Sequence, residues 1–473
     1  MEVNMAKNNK NNRKRVRKID GIAVTQDQLT GRAGLAFFVR YISSLAVLSQ
    51  LERAFGTIRR SNKGTSVVEM FKQILCFLVD GTSRHLVYFD HLKKDEGYAG
   101  TIETETKDMA SSHTMKRFFG SFSFVRVYLF RRILQSLFIW RLRLAQPNVI
   151  ELGIDTMVLD NDDAEKRHGV KPTYKKKKGF QPLQMNWNRY FVDAVFRGGD
   201  KHSNHGDTVG KMIVHMVKKI RKHYREDVPI IIRLDSGFFD QKIFSVCEEL
   251  GVGYICGGKV YKDIRELIQE SAIDQWRPFQ EAKKNNIWEY IEFGSKRGNW
   301  KKFRRAIYSR LKNRDSQLYL PGCRPDTVIY TNIGMGTGID ALLTKAKAQK
   351  YFSAEAILAN YHVRGCDELA NRALKDFGHE QLPFLKFNAN AAWYYTMLLG
   401  HFLLEAFQED VSFGVIDAKS YATTVRRKLI DIAGKIVCHA GKVILKVTQS
   451  SWDSLNISDL WEKCNNQPPL PST

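Results

Sequence analysis

The stretch VPIIIRLDSGFFD (228–240) limits what this chain can fold into. Its apolar run lacks alternation, which suits a strand covered on both faces, as in sheets flanked by helices. Asp235 closes the run before a Ser-Gly turn. Sheets of that kind collect ligands at the carboxyl ends of their strands, so a carboxylate there stands where chemistry happens.

The residues around it agree. VIELGIDTMVLD (149–160) is β-rich and alternating, with Asp155 in its middle. GFQPLQMNWN and RYFVDAVFRGG follow after a short break, as an antiparallel meander would. DTVGKMIVHMVKKIRKHY has a helical apolar period, DQKIFSVCEELG reads as a second helix and VGYICGGKV as a further strand. The order over 148–261 is β-β-β-α-β-α-β, an α/β pattern.

The flanks differ in character. Residues 1–20 form a basic arm without hydrophobic periodicity, expected to be disordered when free, and its Arg13–Lys18 run suits DNA. Residues 21–147 are helical in pattern. SSHTMKRFFGSF starts with good capping residues and puts Lys116 and Arg117 in its first turns. A helical DNA-binding domain fits this region, and a purely structural bundle fits nearly as well, because no clean helix-turn-helix signature is present. Residues 262–350 read as a β-rich insertion carrying WEYIEFGS, WKKFRRAIYSRL and DTVIYTNIG. Helix returns over 351–410, and 411–473 reads as a basic helical segment.

Charge narrows the partners. The chain has 473 residues, 74 Lys plus Arg against 50 Asp plus Glu, and a formal net charge of +24. Such a surplus suits a polyanion, nucleic acid first. Seven cysteines without a CxxC pair argue against a cysteine zinc site and for a reducing compartment. No histidine pair has the spacing of an HExxH site. The apolar stretches 122–140 and 391–407 carry Arg126, Arg131, Arg132, His401 and Glu405, so both read as buried helices and the chain as soluble, without a membrane partner or a signal peptide.

YHVRGCDELANRALK (361–375) raises a geometric question. On one helix, Tyr361, Arg364, Glu368 and Lys375 fall within a stripe about 60° wide, while Asp367 points about 120° away. By itself such a stripe is a solvated face with a Glu–Arg pair. Two strand-borne aspartates change its weight. A meander of three strands followed by a crossover helix and a strand describes a ribonuclease H-like fold. There the first and fourth strands are neighbours, so Asp155 and Asp235 should meet across 80 residues (235 − 155). A helix laid over the sheet would bring in Glu368. Three such carboxylates form a cage for two Mg²⁺, with Mn²⁺ as substitute, suited to in-line phosphoryl transfer. Arg364, Lys375 and Tyr361 can grip phosphates beside them.

With these residues in view, the chain resembles the DDE transposases of bacterial insertion sequences. Tyr361, Arg364, Glu368 and Lys375 match the Tyr-x2-Arg-x3-Glu-x6-Lys signature of one branch, insertion-sequence 4-related. GIDTMVLDNDDAEKRHG with GFQPL is similar to the first-Asp block of the insertion-sequence 1380 type, RLDSGF to the second-Asp block, and TTVRRKLIDIAGKIVCHAGKVILKV to its C-terminal segment. The extra Asp often found two positions before the first catalytic one is replaced by Gly153. The resemblance spans about 150–450. It implies cut-and-paste transposition through a hairpin end, with Asp155, Asp235 and Glu368 as catalytic metal ligands. It also implies a homodimer holding the inverted-repeat ends and target DNA, in a cytoplasmic, nucleoid-associated setting. Alternatives are a metal-dependent nuclease or resolvase without strand transfer, and a non-catalytic DNA-binding protein that kept the fold.

Residues 294–314, GSKRGNWKKFRRAIYSRLKNR, carry nine Lys/Arg and no acid. Lys301, Lys302, Arg304 and Arg305 suit phosphate contacts and Trp300 a stacked base, with Trp288 as rival. The alternative is a solvated strand face with its aromatics in the core. Lys175–Lys178 is either a phosphate clamp or a solvated loop.

Overall fold

The computed structural model describes residues 19, 21–59, 64–280, 287–298, 300–312 and 326–470, without the side chains of Cys366 and Asp367. The basic arm, apart from Ile19, and Asn299, Asn313 and Arg314 of the basic stretch lie outside the described residues.

A short strand, β1 (Gln28–Thr30), precedes seven helices: α1 (Leu35–Ser44), α2 (Val47–Phe55), α3 (Val67–Asp80), α4 (Tyr88–Leu92), α5 (Glu96–Thr101), α6 (Ser112–Gly120) and α7 (Phe124–Ala145). Local chemistry sets their ends. The Ser66, Ser111 and Ser123 hydroxyls accept the N–H groups of Glu69, Thr114 and Arg126 and so cap α3, α6 and α7. Ala46, at φ 56°, breaks one apolar period into α1 and α2.

The strand-rich region follows. It runs β2 (Ile150–Thr156), β3 (Leu159–Asp160), β4 (Lys171–Pro172), β5 (Lys178–Phe180), β6 (Leu183–Trp187), β7 (Tyr190–Val195), α8 (Thr208–His223), β8 (Ile230–Leu234), α9 (Gln241–Glu249) and β9 (Gly253–Gly257). The small sheet β3-β5-β4 is inserted between β2 and β6. Next come α10 (Lys262–Glu270), β10 (Arg277–Gln280), β11 (Ile287–Ser295), β12 (Arg304–Lys312), β13 (Thr327–Thr331) and α11 (Gly338–Lys345). These strands extend the same sheet, because β13 pairs antiparallel with β9. The result is a mixed α/β architecture around a nine-stranded sheet of order β10-β11-β12-β13-β9-β8-β2-β6-β7.

The rest comprises α12 (Ala354–His362), α13 (Gly365–Gly378), α14 (Phe387–Phe407), α15 (Ala422–Val425), β14 (Gly434–His439), β15 (Lys442–Val447), α16 (Gln449–Ser454) and α17 (Ile457–Asn465). Two expectations need correction. The C-terminal segment is not helical throughout, since β14 and β15 form a hairpin and β14 also pairs with β1. KIVCH and KVILKV alternate around Ala440-Gly441, both with positive φ (48° and 75°), and such two-residue turns match the twist of paired strands. The stripe of 361–375 also does not lie on one helix. It crosses a break at Val363 and Arg364, between α12 and α13.

A single hydrophobic cluster runs from Ala33 to Leu470, joining α1, α3, α6 and α7 to the nearly all-round buried α14. A smaller cluster covers the other face of the sheet with Ile231, Ile255, Ile329, Ile357 and Leu358. Among the described residues no single helix is long and apolar enough to cross a membrane. The bent pair α1–α2 meets the length and composition of a broken span, yet its apolar residues are buried in the core.

Candidate active site

The register of the parallel pair β2–β8 matches Gly153 with Arg233 and Ile154 with Leu234. One residue further on come Asp155, still within β2, and Asp235, just past the end of β8, on neighbouring strands that a sheet spaces roughly 4.8 Å apart. Strand alternation decides their side. Leu152 and Ile154 share a face with Ile232, Leu234 and Tyr254, and Tyr254 stacks on Phe244 of α9 at 4.5 Å. Gly153, Asp155 and Arg233 therefore point to the opposite face, toward α12 and α13. That is where Asn371 of α13 donates to Asp155 Oδ2 at 3.1 Å.

Each acid is held differently. Asp155 Oδ1 accepts the Thr156 N–H at 2.7 Å. Asp235 Oδ1 accepts the Gly237 N–H at 2.8 Å, which shapes the Ser-Gly turn. Its Oδ2 lies 3.7 Å from Arg364 Nη1, and Arg364 Nη2 lies 4.0 Å from Glu368 Oε1. One guanidinium thus spans two of the three carboxylates. Both separations exceed those of a tight charge-assisted hydrogen bond, so the bridge is loose. The Glu368 side chain is 63% exposed.

Tyr361 is half-buried against Gly257, where an added Cβ would stand 2.2 Å from its hydroxyl oxygen, so only glycine fits beside it. Burial pushes its hydroxyl pKa up against the pull of Arg364, with smaller contributions from Cys256 and then Asp235. Lys375 sits apart from the acids. Its ammonium is 2.8 Å from Glu380 Oε2, which also accepts the Asp160 N–H at 3.3 Å.

Three participants escaped the reading of the sequence. Tyr174, at the tip of the β4–β5 turn, has its pKa raised by burial of the hydroxyl and then by Asp155, Asp235 and Glu368 together, which puts it within the field of all three acids. Asn371 follows Glu368 by three residues, a helical neighbour spacing that could have revealed it. Glu380 has no local signal, because its role comes from the fold.

The basic stretch needs correction. Trp300 is 6% exposed and packed among Phe239, Phe244 and Tyr330, so it cannot stack a base as it stands. Arg304 is buried, bonded to Glu248 at 3.0 Å and stacked over Trp300. Arg305 is committed to the carbonyls of Ile333 and Phe352 and to Glu292. Lys301 and Lys302 are exposed, as are Lys116 and Arg117 on α6. Trp288 is half-buried, with its ring 4.7 Å from that of His362. In the Lys175–Lys178 run, Lys177 pairs with Asp160 and Asp162, and Lys178 with Glu165.

The donor set is carboxylate oxygen joined by one amide, which suits a hard divalent cation in kind. Among the described residues no three His, Cys, Asp or Glu side chains already converge into a cage, and the Arg364 guanidinium lies between two of the acids.

Asp155 and Asp235 thus stand at the carboxyl edge of a mixed sheet, in a chain whose formal charge of +24 suits a polyanionic partner. Comparison narrows it. The family described as "Transposase DDE domain group 1" matches residues 11–466, and the chain belongs to that family of transposases. No curated protein matches. Among solved structures, a piggyBac transposase synaptic complex with hairpin DNA, studied by cryo-electron microscopy, aligns at 14% identity over 86% of this chain and 83% of that one, with a TM-score of 0.37. At that score the likeness carries no weight.

Proposed function

We propose that this transposase excises and integrates an insertion sequence by cut-and-paste phosphoryl transfer, through a hairpin end, with a ribonuclease H-like core and Asp155, Asp235 and Glu368 as the catalytic acids. The observation that carries this reading is the juxtaposition of Asp155 and Asp235 across β2–β8, with Arg364 linking Asp235 to Glu368. Those three acids would hold two Mg²⁺ or Mn²⁺. The ions supply activation of a water or 3′-hydroxyl and stabilisation of the leaving oxygen.

The chain's own groups do the rest. Asn371 fixes the Asp155 carboxylate, and the Gly237 N–H fixes that of Asp235, so both are oriented before substrate arrives. Arg364 presents a planar fork beside the acids, suited to a phosphate in two places. Tyr361 supplies a hydroxyl donor, and Lys375, tethered by Glu380, a point charge further along the DNA. A homodimer would hold both inverted-repeat ends with the target DNA.

The test incubates the protein with Mg²⁺, duplexes bearing the element's ends and a target plasmid. Joined products support transposition. Cleaved but unjoined ends would favour a nuclease or resolvase, and binding without cleavage a non-catalytic protein.

A further inference from the structure

A groove of about 650 Å³ opens between α2, α7 and α8, and none of Asp155, Asp235 and Glu368 lines it. Its rims carry Arg53, Arg132, Arg143, His215, Lys219 and His223, and no carboxylate lines it. Lys219 and His215 both turn to one neutral acceptor, the Gln135 Oε1, at 3.2 and 3.0 Å. Asp193, whose charge reaches His215 and Lys219, is held by two nitrogens of the Arg131 fork at 2.7 and 2.6 Å. Among the described residues none of these six groups closes an ion pair with a carboxylate, and Asp193 reaches Lys219 and His215 only through space. Burial first, with a smaller contribution from Arg132, holds the Lys219 ammonium below its usual pKa against the pull of Asp193.

The groove continues. His215 also lines an adjoining groove of about 530 Å³, which carries Lys211, Lys218 and Lys242 against a single acid, Asp207. From Lys211 to His223 the basic face of α8 extends about 18 Å, or roughly five base-pair steps of duplex DNA. Helix α8 packs on α9, and α9 lies on the face of the sheet opposite Asp155. A strand entering the acids cannot occupy this groove at the same point.

We propose that the α2–α7–α8 groove is a second DNA-binding site, which holds the phosphate backbone of a duplex stretch other than the base pairs at the carboxylates. The proposal rests on the DNA-transposase reading. It takes any duplex sequence, because lysine and arginine on phosphates position DNA without reading bases.

The test measures binding of a fluorescent generic duplex across a salt series. Arg132→Ala with Lys219→Ala should weaken binding about tenfold and flatten the slope of log K against log salt by about two, one per lost phosphate contact. If the first pair melts early, the exposed pair Arg53→Ala and Lys218→Ala takes its place, with the same expectation. Unchanged affinity and slope in a folded groove variant, while the unaltered protein binds, overturn the groove alone. Failure of the unaltered protein to bind duplex overturns the transposase reading as well. Loss of binding only to phosphatidylglycerol vesicles, with DNA binding intact, would make the groove a lipid site and overturn the proposal.

Discussion

Asp235 serves two neighbours with its two oxygens: Gly237 N–H shapes the turn through one, and Arg364 approaches the other. Replacing Glu368 by Gln removes charge from the looser end of the same bridge without changing volume. Glu368→Gln, like Asp155→Asn, is expected to lower end cleavage at least a hundredfold while duplex binding stays within a factor of two, since phosphate contacts elsewhere remain. Gel assays of nicking beside anisotropy of binding check this, and strong cleavage by Glu368→Gln would remove it from the catalytic set. Trp300 gives the contrary case. Buried among three aromatic rings, it should cost about 3–5 kcal/mol of stability as Trp300→Ala, read by denaturant unfolding. A base-stacking role would instead spare stability and impair hairpin formation.

At the scale of elements, α14 carries a buried titratable pair. His401 and Glu405, one turn apart, lie 3.5 Å from each other, and Arg189 bonds Glu405 at 2.8 Å. Burial, aided by Arg189, lowers the His401 pKa from 6.5 to about 3. The unfolded chain then takes up a proton that the folded one refuses, so stability falls as pH drops from 6.5 toward 3. Burial raises Glu405 from 4.5 to about 8, against the pull of Arg189. Here the folded state keeps a proton that the unfolded one releases, so stability falls as pH rises from 4.5 to 8. His401→Leu should flatten the acid limb of a stability–pH curve, and Glu405→Gln the alkaline limb, each measured by urea unfolding. A second element-scale expectation concerns the β14–β15 turn. Ala440 pays a left-handed backbone at φ 48°, so Ala440→Gly should be neutral or stabilising by up to about 1 kcal/mol, whereas a β-branched residue at Gly441 (φ 75°) should destabilise, both read by thermal melting.

For the whole molecule, the continuous core is the governing fact. Helices α1, α3, α6 and α7 bury their apolar faces against α13, α14 and α17, and β1 pairs with β14 near the other end of the chain. A fragment of residues 21–147 would leave that surface open. It is expected to lack a cooperative thermal transition by circular dichroism, and a sharp transition would show that the region folds as a domain of its own.

Much of the acidic site was legible beforehand. Period-two alternation and a buried run ending in an acid mark Asp155 and Asp235, because a strand's covering and its carboxyl end are written in local pattern. The stripe from Tyr361 to Lys375 was legible as one face, but a helical wheel has no term for the break at Val363 and Arg364, between α12 and α13. Composition could not separate Trp300 and Arg304 from Lys301 and Lys302, since burial in a basic stretch depends on what the sheet faces. Alternation, capping residues, net charge and the acids' strand positions were determined by sequence alone, being short-range properties. Only the tertiary structure decided that Arg364 spans two acids, that Glu380 holds Lys375, that Tyr174 feels the charge of all three acids, and that α8 lies on the other face of the sheet with Lys219 turned to the neutral Gln135. Those relations join residues far apart in the chain, and long-range contact is fixed by how faces pack, which no local pattern contains.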